Sequence, residues 1–459
     1  MICISITAPS VNLARKEIKL AKADLIELLL DLIKDITLHN LKTLLKKDKT
    51  IVTDRKNRMP LLKKAIEWGA SYIDIDIAAG EKNIQNLIQN KKKSKIIVSF
   101  HNFTKTDKRE IQHKYAQIKK LNPDIIKIAT FVNSIEDNQL LFDLIKKRHN
   151  QKIITIGMGE KGQISRILGP LLGSEITYAS LEKGKESALG QLTAEALKNI
   201  YRINILNNPK VFGLIGNPVD HSKGIYIHNE TFRRLRQNSI YVNFLVDDVE
   251  SFINTFKYLI SGVSITIPHK EAALRYMDKV DPLAKKIGAI NTSIKKKGKL
   301  IGYNTDVIGA LTAIKEKTTI KNKKVLLIGT GGVGRAIAFG IAWEKGRLLL
   351  SDRDVQKAKQ LSKELQSTYI PSENIFSQRN IDLLINATPV GMQPRSDNTP
   401  VPKEVLRKIL SQKAAVFDVV YTPQNTKLLT EAASLGHTII SGLTMFNNQA
   451  KEQTKLFTQ

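Results

Sequence analysis

The sequence predicts an α/β protein: an N-terminal (β/α)8 barrel followed by a two-lobed α/β unit whose second lobe is of the Rossmann type. Three observations carry this prediction. Eight short apolar runs recur in the first two hundred residues with helical patterns between them, the alternation that builds parallel sheets. A second such pattern begins at residue 211 and pauses at Lys321-Asn322-Lys323. Beyond it, the apolar run 324–328 opens into Gly329-Thr330-Gly331-Gly332-Val333-Gly334 and a helical stretch over 335–343, the strand, turn and helix order that a dinucleotide phosphate site requires.

The barrel strands are predicted at 2–6, 25–30, 50–53, 72–77, 95–100, 125–129, 152–156 and 176–179. This spacing is compact for the fold, so the helices must be short. A final helix over 189–203 runs into Asn207-Asn208-Pro209, a turn-forming stretch. The barrel is therefore expected over 1–207, one lobe over 208–320 joined by a C-terminal helix at 443–459, and the Rossmann-type lobe over 321–442. A chain of 459 residues with 42% hydrophobic content supports more than one core.

Composition narrows the function classes. The single cysteine, Cys3, excludes an internal disulfide or a cysteine metal cluster and fits a reducing compartment; no metal is expected. The opening residues read as a strand rather than a leader, and no apolar run approaches the ~20 residues that span a bilayer, so the expectation is a cytoplasmic protein without a membrane partner. The net charge of +29 raises the question of nucleic acid. The lysine runs at 91–93 and 295–297 fall between apolar segments, where solvated loops belong, and no dedicated nucleic-acid partner is expected. The same field favours a small anionic substrate or cofactor.

Two lysines stand apart. Lys127 ends a strand-like run from Pro123, and Lys270 follows Ile265-Thr266-Ile267-Pro268-His269. Around the first, Glu27, Arg55 and His101 lie at or near other strand ends. A lysine desolvated there would have a lowered pKa and form a Schiff base with a ketone, with His101 as proton shuttle.

These residues carry a resemblance. Glu27 with Asp31, Thr53-Asp54-Arg55, Ser99 to Phe103, Pro123 to Ala129, Gly162 to Arg166 and Ser187 to Gln191 resemble type I 3-dehydroquinate dehydratase across the whole barrel. The resemblance implies that Lys127 forms an imine with the substrate ketone, that His101 moves protons, and that Arg166 holds the carboxylate, with Ser5, Glu27, Arg55, Ser187 and Gln191 on the rest of the ring. Two positions depart from the family. Leu29 stands where an arginine is usual, and a charged hydrogen bond lost there is worth about 1.5–3 kcal/mol. Met59 stands where a glutamate usually orients the histidine.

The second half, from Gly213 through Ser222, Thr266 to Lys270, Gly288 to Thr292, Asn304 to Asp306, Asn386 to Thr388, Asp418 to Tyr421 and Gly442 to Ala450, resembles shikimate dehydrogenase. That implies Lys270 and Asp306 as the catalytic pair and Ser222, Thr266, Asn291, Tyr421 and Gln449 as substrate contacts. Asp306 also reads, with less weight, as a helix cap, and both can hold. Gly224 replaces a second serine of the family. NADP is the implied cofactor, held by Gly329, Thr330, Gly331, Gly332, Val333 and Gly334 with Thr388, Val419 and Gly442. Asp352 suits a free ribose hydroxyl and Arg353 a 2′-phosphate; NADPH is favoured. The two resemblances together imply a bifunctional enzyme acting on 3-dehydroquinate and then 3-dehydroshikimate. The alternatives are a regulator or pseudoenzyme that binds pathway intermediates with one half impaired, and a Schiff-base aldolase fused to an unrelated oxidoreductase.

Overall fold

The computed structural model describes residues 1–46, 49–220 and 222–459, and the chain divides into two compact units, Met1–Ile260 and Ser261–Gln459. The boundary expected after residue 207 falls inside the first unit, and that expected after 320 inside the second.

The first unit opens with eight strands: β1 (Ile2–Ile6), β2 (Leu25–Leu29), β3 (Thr50–Thr53), β4 (Tyr72–Asp76), β5 (Lys95–Asn102), β6 (Ile125–Phe131), β7 (Lys152–Met158) and β8 (Thr177–Ala179). They pair in parallel in the order β7-β6-β5-β4-β3-β2-β1-β8. Beside β8, the Glu175 N–H donates to the Ile153 carbonyl of β7 at 2.9 Å and brings the open edges together.

Strand periodicity decides what fills this barrel. Cys3, Leu25, Ile51, Tyr72, Ile97 and Ile125 belong to one apolar cluster. Two residues further along the same strands, and so on the same face, stand Ser5, Glu27, Thr53, Asp74, Ser99 and Lys127, all buried. An apolar floor thus carries a polar tier towards the strands' C-terminal ends, where barrels place chemistry. Leu29 continues the face of Glu27 and is 2% exposed, so the missing arginine leaves an apolar side chain in its place.

The helix expected over 189–203 forms only as a π-helical turn, Ala196–Ile200. The residues before it are bonded otherwise. Ser180 pairs with Thr193, the Ser180 N–H donates to Leu192 O and the Ala194 N–H to Ser180 O, so Thr193 is bridged to the end of the barrel sheet and coiling starts only at Ala194. The unit ends with β9 (Lys210–Gly216) and β10 (Ser239–Leu245), a parallel pair joined through the helix Gly224–Arg234.

The second unit begins with β11 (Ile260–Ile265), β12 (Lys279–Val280), β13 (Thr292–Lys296) and β14 (Lys299–Tyr303), in which β13 pairs antiparallel with both β11 and β14. A parallel sheet follows, formed by β15 (Lys324–Ile328), β16 (Arg347–Ser351), β17 (Thr368–Tyr369), β18 (Ile381–Asn386), β19 (Leu410–Asp418) and β20 (Thr438–Ser441), in the order β17-β16-β15-β18-β19-β20. Its strands are apolar on both faces because helices cover both. Val325, Leu327, Leu383, Ile385 and Phe417 join one cluster, and Leu326, Ile328, Leu384 and Val416 join the other. Strand order reverses between β15 and β18, which opens a crevice at their C-terminal ends.

The helices Asp306–Lys315 and Gly442–Phe457 approach closely in this unit. A Cβ on Gly309 would stand 2.7 Å from Gln449 Cβ and 2.9 Å from the Met445 carbonyl oxygen. Among the described residues no helix is long and apolar enough to cross a membrane. Gly309→Ala should cost about 1–3 kcal/mol through overpacking, read as a lower denaturant midpoint for the second unit while the barrel transition stays in place.

Candidate active sites

Lys127 lies at the centre of the polar tier. Its Nζ donates to Asp74 Oδ2 at 2.7 Å and stands 3.8 Å from Glu27 Oε1. Glu27 is itself held by the Ser5 hydroxyl at 2.7 Å and the Thr53 hydroxyl at 2.9 Å. The ammonium also sits 4.3 Å from the centroid of the Tyr178 ring, a favourable cation–π distance. The lowered lysine pKa expected from burial is not what this arrangement produces. Desolvation pulls the pKa down, but Asp74 and Glu27 outweigh it and hold the Lys127 pKa above its ordinary value. The resting lysine is a paired cation. Asp74 moves the opposite way: burial opposes its charge, yet Lys127 and His101 keep its pKa below the usual range.

Arg166 enters the same interior from the helix Gln163–Leu172. It is 3% exposed, gives one hydrogen bond, from Nη1 to the Tyr178 carbonyl at 3.3 Å, and its Nε has no partner. Burial pushes its pKa down to about 10, with Glu27 pulling it back up. A buried guanidinium without a carboxylate is a receptor for an anion. Nearby in the chain, Gln191 accepts from the Ser187 N–H at 2.7 Å while its own buried Nε2 stays unpartnered. Ser187 and Gln191 line a pocket of about 630 Å³ with Glu160, Glu186 and Asn243. Arg55 is exposed, its guanidinium 5.9 Å from the Phe103 ring, which stacks on His101.

Sequence reasoning missed Asp74 and Asp76, which lie two apart on β4 with Asp76 bonded to His101 Nδ1 at 2.9 Å. The signal was present: Tyr72, Asp74 and Asp76 alternate along a strand next to the one bearing the histidine. Met59 begins the helix Met59–Glu67, so the glutamate of the family has no counterpart there.

In the second unit Lys270 Nζ donates to Asp306 Oδ2 at 2.6 Å. Asn291 Nδ2 donates to Asp306 Oδ1 at 2.9 Å, so the two carboxylate oxygens are divided between the lysine and the amide. Asp306 is also the first residue of its helix, where the dipole favours negative charge; helix start and lysine partner are one residue. Gln449 Oε1 accepts from the Thr305 hydroxyl at 3.3 Å and from Asn291 Nδ2 at 3.4 Å. Tyr421 packs against Phe446 with ring centroids 5.0 Å apart. Thr266 is held in the turn before Lys270 through its carbonyl, which accepts from the His269 N–H at 2.9 Å. Ser222 belongs to the first unit, where its hydroxyl accepts from the Gly224 N–H at 3.2 Å.

The glycine loop fits a dinucleotide. Gly334 must lack a side chain, since a Cβ there would meet Gly329 O at 2.0 Å, while the same position on Gly331 faces open space, where backbone can approach a pyrophosphate at the N-terminus of the helix Gly332–Trp343. A Cβ on Gly332 would lie 3.3 Å from Lys270 Cβ, so the lysine runs alongside this loop. Asp352 is fully engaged: Oδ2 accepts from the Thr330 hydroxyl at 2.8 Å and Oδ1 from the Asp354 N–H at 2.9 Å. Arg353 next to it is exposed. Further round the crevice, Asn386 Oδ1 accepts from the Thr388 N–H at 3.1 Å and Asn386 Nδ2 donates to Asp418 at 2.9 Å. Among the described residues no group of three or more His, Cys, Asp and Glu side chains could hold a metal ion.

Burial pushes the Asp418 pKa up to about 6 despite hydrogen bonds from Thr426, Val420 and Asn386. A carboxyl raised in the folded state costs stability as pH rises from roughly 4 to about 6. Asp418→Asn should abolish that part of the pH dependence, worth on the order of 2–3 kcal/mol, in urea unfolding followed at pH 4 and pH 8.

Comparison with known proteins covers both halves of the chain. The family model for type I 3-dehydroquinase matches residues 2–208, and that for the shikimate dehydrogenase substrate binding domain matches 214–293. A chloroplastic bifunctional 3-dehydroquinate dehydratase/shikimate dehydrogenase of Arabidopsis thaliana is 37% identical, covering 100% of this chain and 82% of the relative. An NADP(+) shikimate dehydrogenase of Caldanaerobacter subterraneus is 38% identical over 56% of this chain and 94% of its own. The crystal structure of shikimate 5-dehydrogenase from Thermus thermophilus with NADP(H) and shikimate superposes with a TM-score of 0.50 at 32% identity, covering 54% of this chain and 93% of that one.

Proposed function

Because the chain belongs to the family of bifunctional 3-dehydroquinate dehydratase/shikimate dehydrogenases, we propose that it dehydrates 3-dehydroquinate to 3-dehydroshikimate in its barrel and reduces that product to shikimate with NADPH. Residues 1–207 are the dehydratase, 208–320 with the C-terminal helix are the substrate lobe of the dehydrogenase, and 321–442 are its NADP lobe. The observation that supports the first reaction most is the burial, in one barrel interior, of the lysine Lys127 and the guanidinium of Arg166, whose Nε has no partner. We place the enzyme in the cytoplasm on its single, buried cysteine, acting on small molecules rather than nucleic acid or membranes.

In the dehydratase, Lys127 passes a proton to His101 and its amine attacks the substrate ketone; His101 returns that proton to the carbinolamine hydroxyl, which leaves as water as the imine forms. The imine withdraws electrons from the neighbouring C–H bond, whose proton passes to His101, and His101 returns a proton to the departing hydroxyl. Hydrolysis of the imine frees the product and restores Lys127. Arg166 holds the carboxylate, and Glu27, Ser5, Arg55, Ser187 and Gln191 orient the ring.

In the dehydrogenase, NADPH supplies the hydride when bound. Lys270 donates the proton to the developing alkoxide, and Asp306 steadies its charge before and its orientation after that transfer. Asn291, Thr266, Tyr421 and Gln449 fix the ring. The loop from Gly329 through Gly334, with Thr388, Val419 and Gly442, holds the cofactor, and Arg353 grips its 2′-phosphate. The engagement of both Asp352 oxygens supports Arg353 as the residue that selects NADP.

The two reactions separate by substitution. Lys127→Ala should leave no borohydride-trapped adduct with 3-dehydroquinate and no dehydratase turnover, with NADPH oxidation on 3-dehydroshikimate unchanged. Lys270→Met should lower dehydrogenase kcat about 10²- to 10⁴-fold and spare the dehydratase. An adduct on the Lys127→Ala protein would refute the assigned nucleophile. For the cofactor, Arg353→Ala should raise KM for NADPH about 10- to 100-fold and leave that for NADH within about twofold; equal shifts for both would contradict the assignment.

A further inference from the structure

His101 needs a group to hold its ring, and the position expected to supply one carries Met59. The geometry points to Asp76 as the positioning residue that fixes His101 for the dehydration. A carboxylate only accepts, so His101 Nδ1 donates to Asp76 Oδ2 at 2.9 Å and the free Nε2 is left to exchange protons with substrate. The other Asp76 oxygen accepts from the Ala78 N–H at 2.9 Å and anchors the carboxylate at the head of the turn Ile77–Ala79. The aspartate is thus fixed before it fixes the histidine.

The neighbouring carboxylates each bond to another group. Both Asp54 oxygens accept from Arg58 at 2.9 Å, so the loop leading to Met59 has no free acid. Glu27 is held by Ser5 and Thr53, and Asp74 by Lys127. Among the described residues Asp76 is the carboxylate bonded to His101. β4 therefore carries two acids with separate duties: Asp74 holds the nucleophile as a cation, and Asp76, one strand period on, aims the proton shuttle.

This inference rests on the dehydratase reading, and the test separates the two. Asp76→Ser keeps an acceptor for the turn but cannot reach the imidazole; Asp76→Glu restores a carboxylate. In the full-length protein, Asp76→Ser should lower dehydratase kcat about 10- to 100-fold with KM for 3-dehydroquinate within about threefold. Asp76→Glu should return kcat to within about fivefold of the unsubstituted protein. NADPH oxidation on 3-dehydroshikimate reports folding of the same chain and should not change. A serine variant with unaltered kcat overturns the positioning role, as does a rise in KM alone. Should that variant lose both activities, the glutamate variant decides by the same fivefold criterion, a larger loss overturning the role. An unsubstituted protein that does not turn over 3-dehydroquinate refutes the dehydratase reading itself.

Discussion

A buried ammonium is tolerated only beside a carboxylate, and the Lys127–Asp74 contact of 2.7 Å is the interaction on which the barrel's interior depends. Both groups are almost wholly withdrawn from water. Removing either partner of such a pair leaves a bare charge, a loss of about 3–5 kcal/mol. Glu27 and the Tyr178 ring complete the cage. Burial alone would make this lysine a ready nucleophile, but the cage makes it a cation at rest. In the proposed dehydration the amine must then be released when substrate arrives, which gives the proton-handling groups around it a task beyond loss of water itself.

The second unit uses the same kind of ion pair differently. Lys270 and Asp306 meet at 2.6 Å, but Asn291 occupies the other carboxylate oxygen and the lysine stem runs past Gly332. In the proposed reduction the carboxylate directs the donor, so a tight pair serves the chemistry directly. In the barrel, under the proposed reaction, a tight pair restrains the nucleophile, and catalysis has to loosen it. Two lysines with similar contacts therefore have opposite requirements of them.

The interior of the barrel also shows how one substitution is accommodated. Leu29 replaces a charged residue on a face that carries Glu27, and it is buried as an ordinary apolar side chain. The fold accommodates an apolar side chain at that position. Met59 is different, because the function it lacks is supplied from another strand.

The eight strands and the glycine loop were legible in the chain because they depend on local period and on ordered motifs, whereas the pairing of Lys270 with Asp306 was implied by the resemblance to shikimate dehydrogenase. Strand alternation puts Ser5, Glu27, Thr53 and Lys127 each on the same face of its own strand as Cys3, Leu25, Ile51 and Ile125. What neighbouring strands bring opposite that face depends on register, which no single segment encodes. Asp74 and Asp76 therefore became partners of Lys127 and His101 only once β4, β5 and β6 were aligned. The lysine's charge was likewise a tertiary decision, since desolvation is implied by an apolar strand but the opposing carboxylates arrive from elsewhere. The helix expected over 189–203 was shortened at its start for the same reason: Thr193 is bridged to Ser180, and only the residues from Ala194 to Ile200 coil. Sequence by itself determined which residue types stand at which depth of each strand; folding decided which of them meet, because hydrogen-bonded register and charge pairing are set between segments distant in the chain.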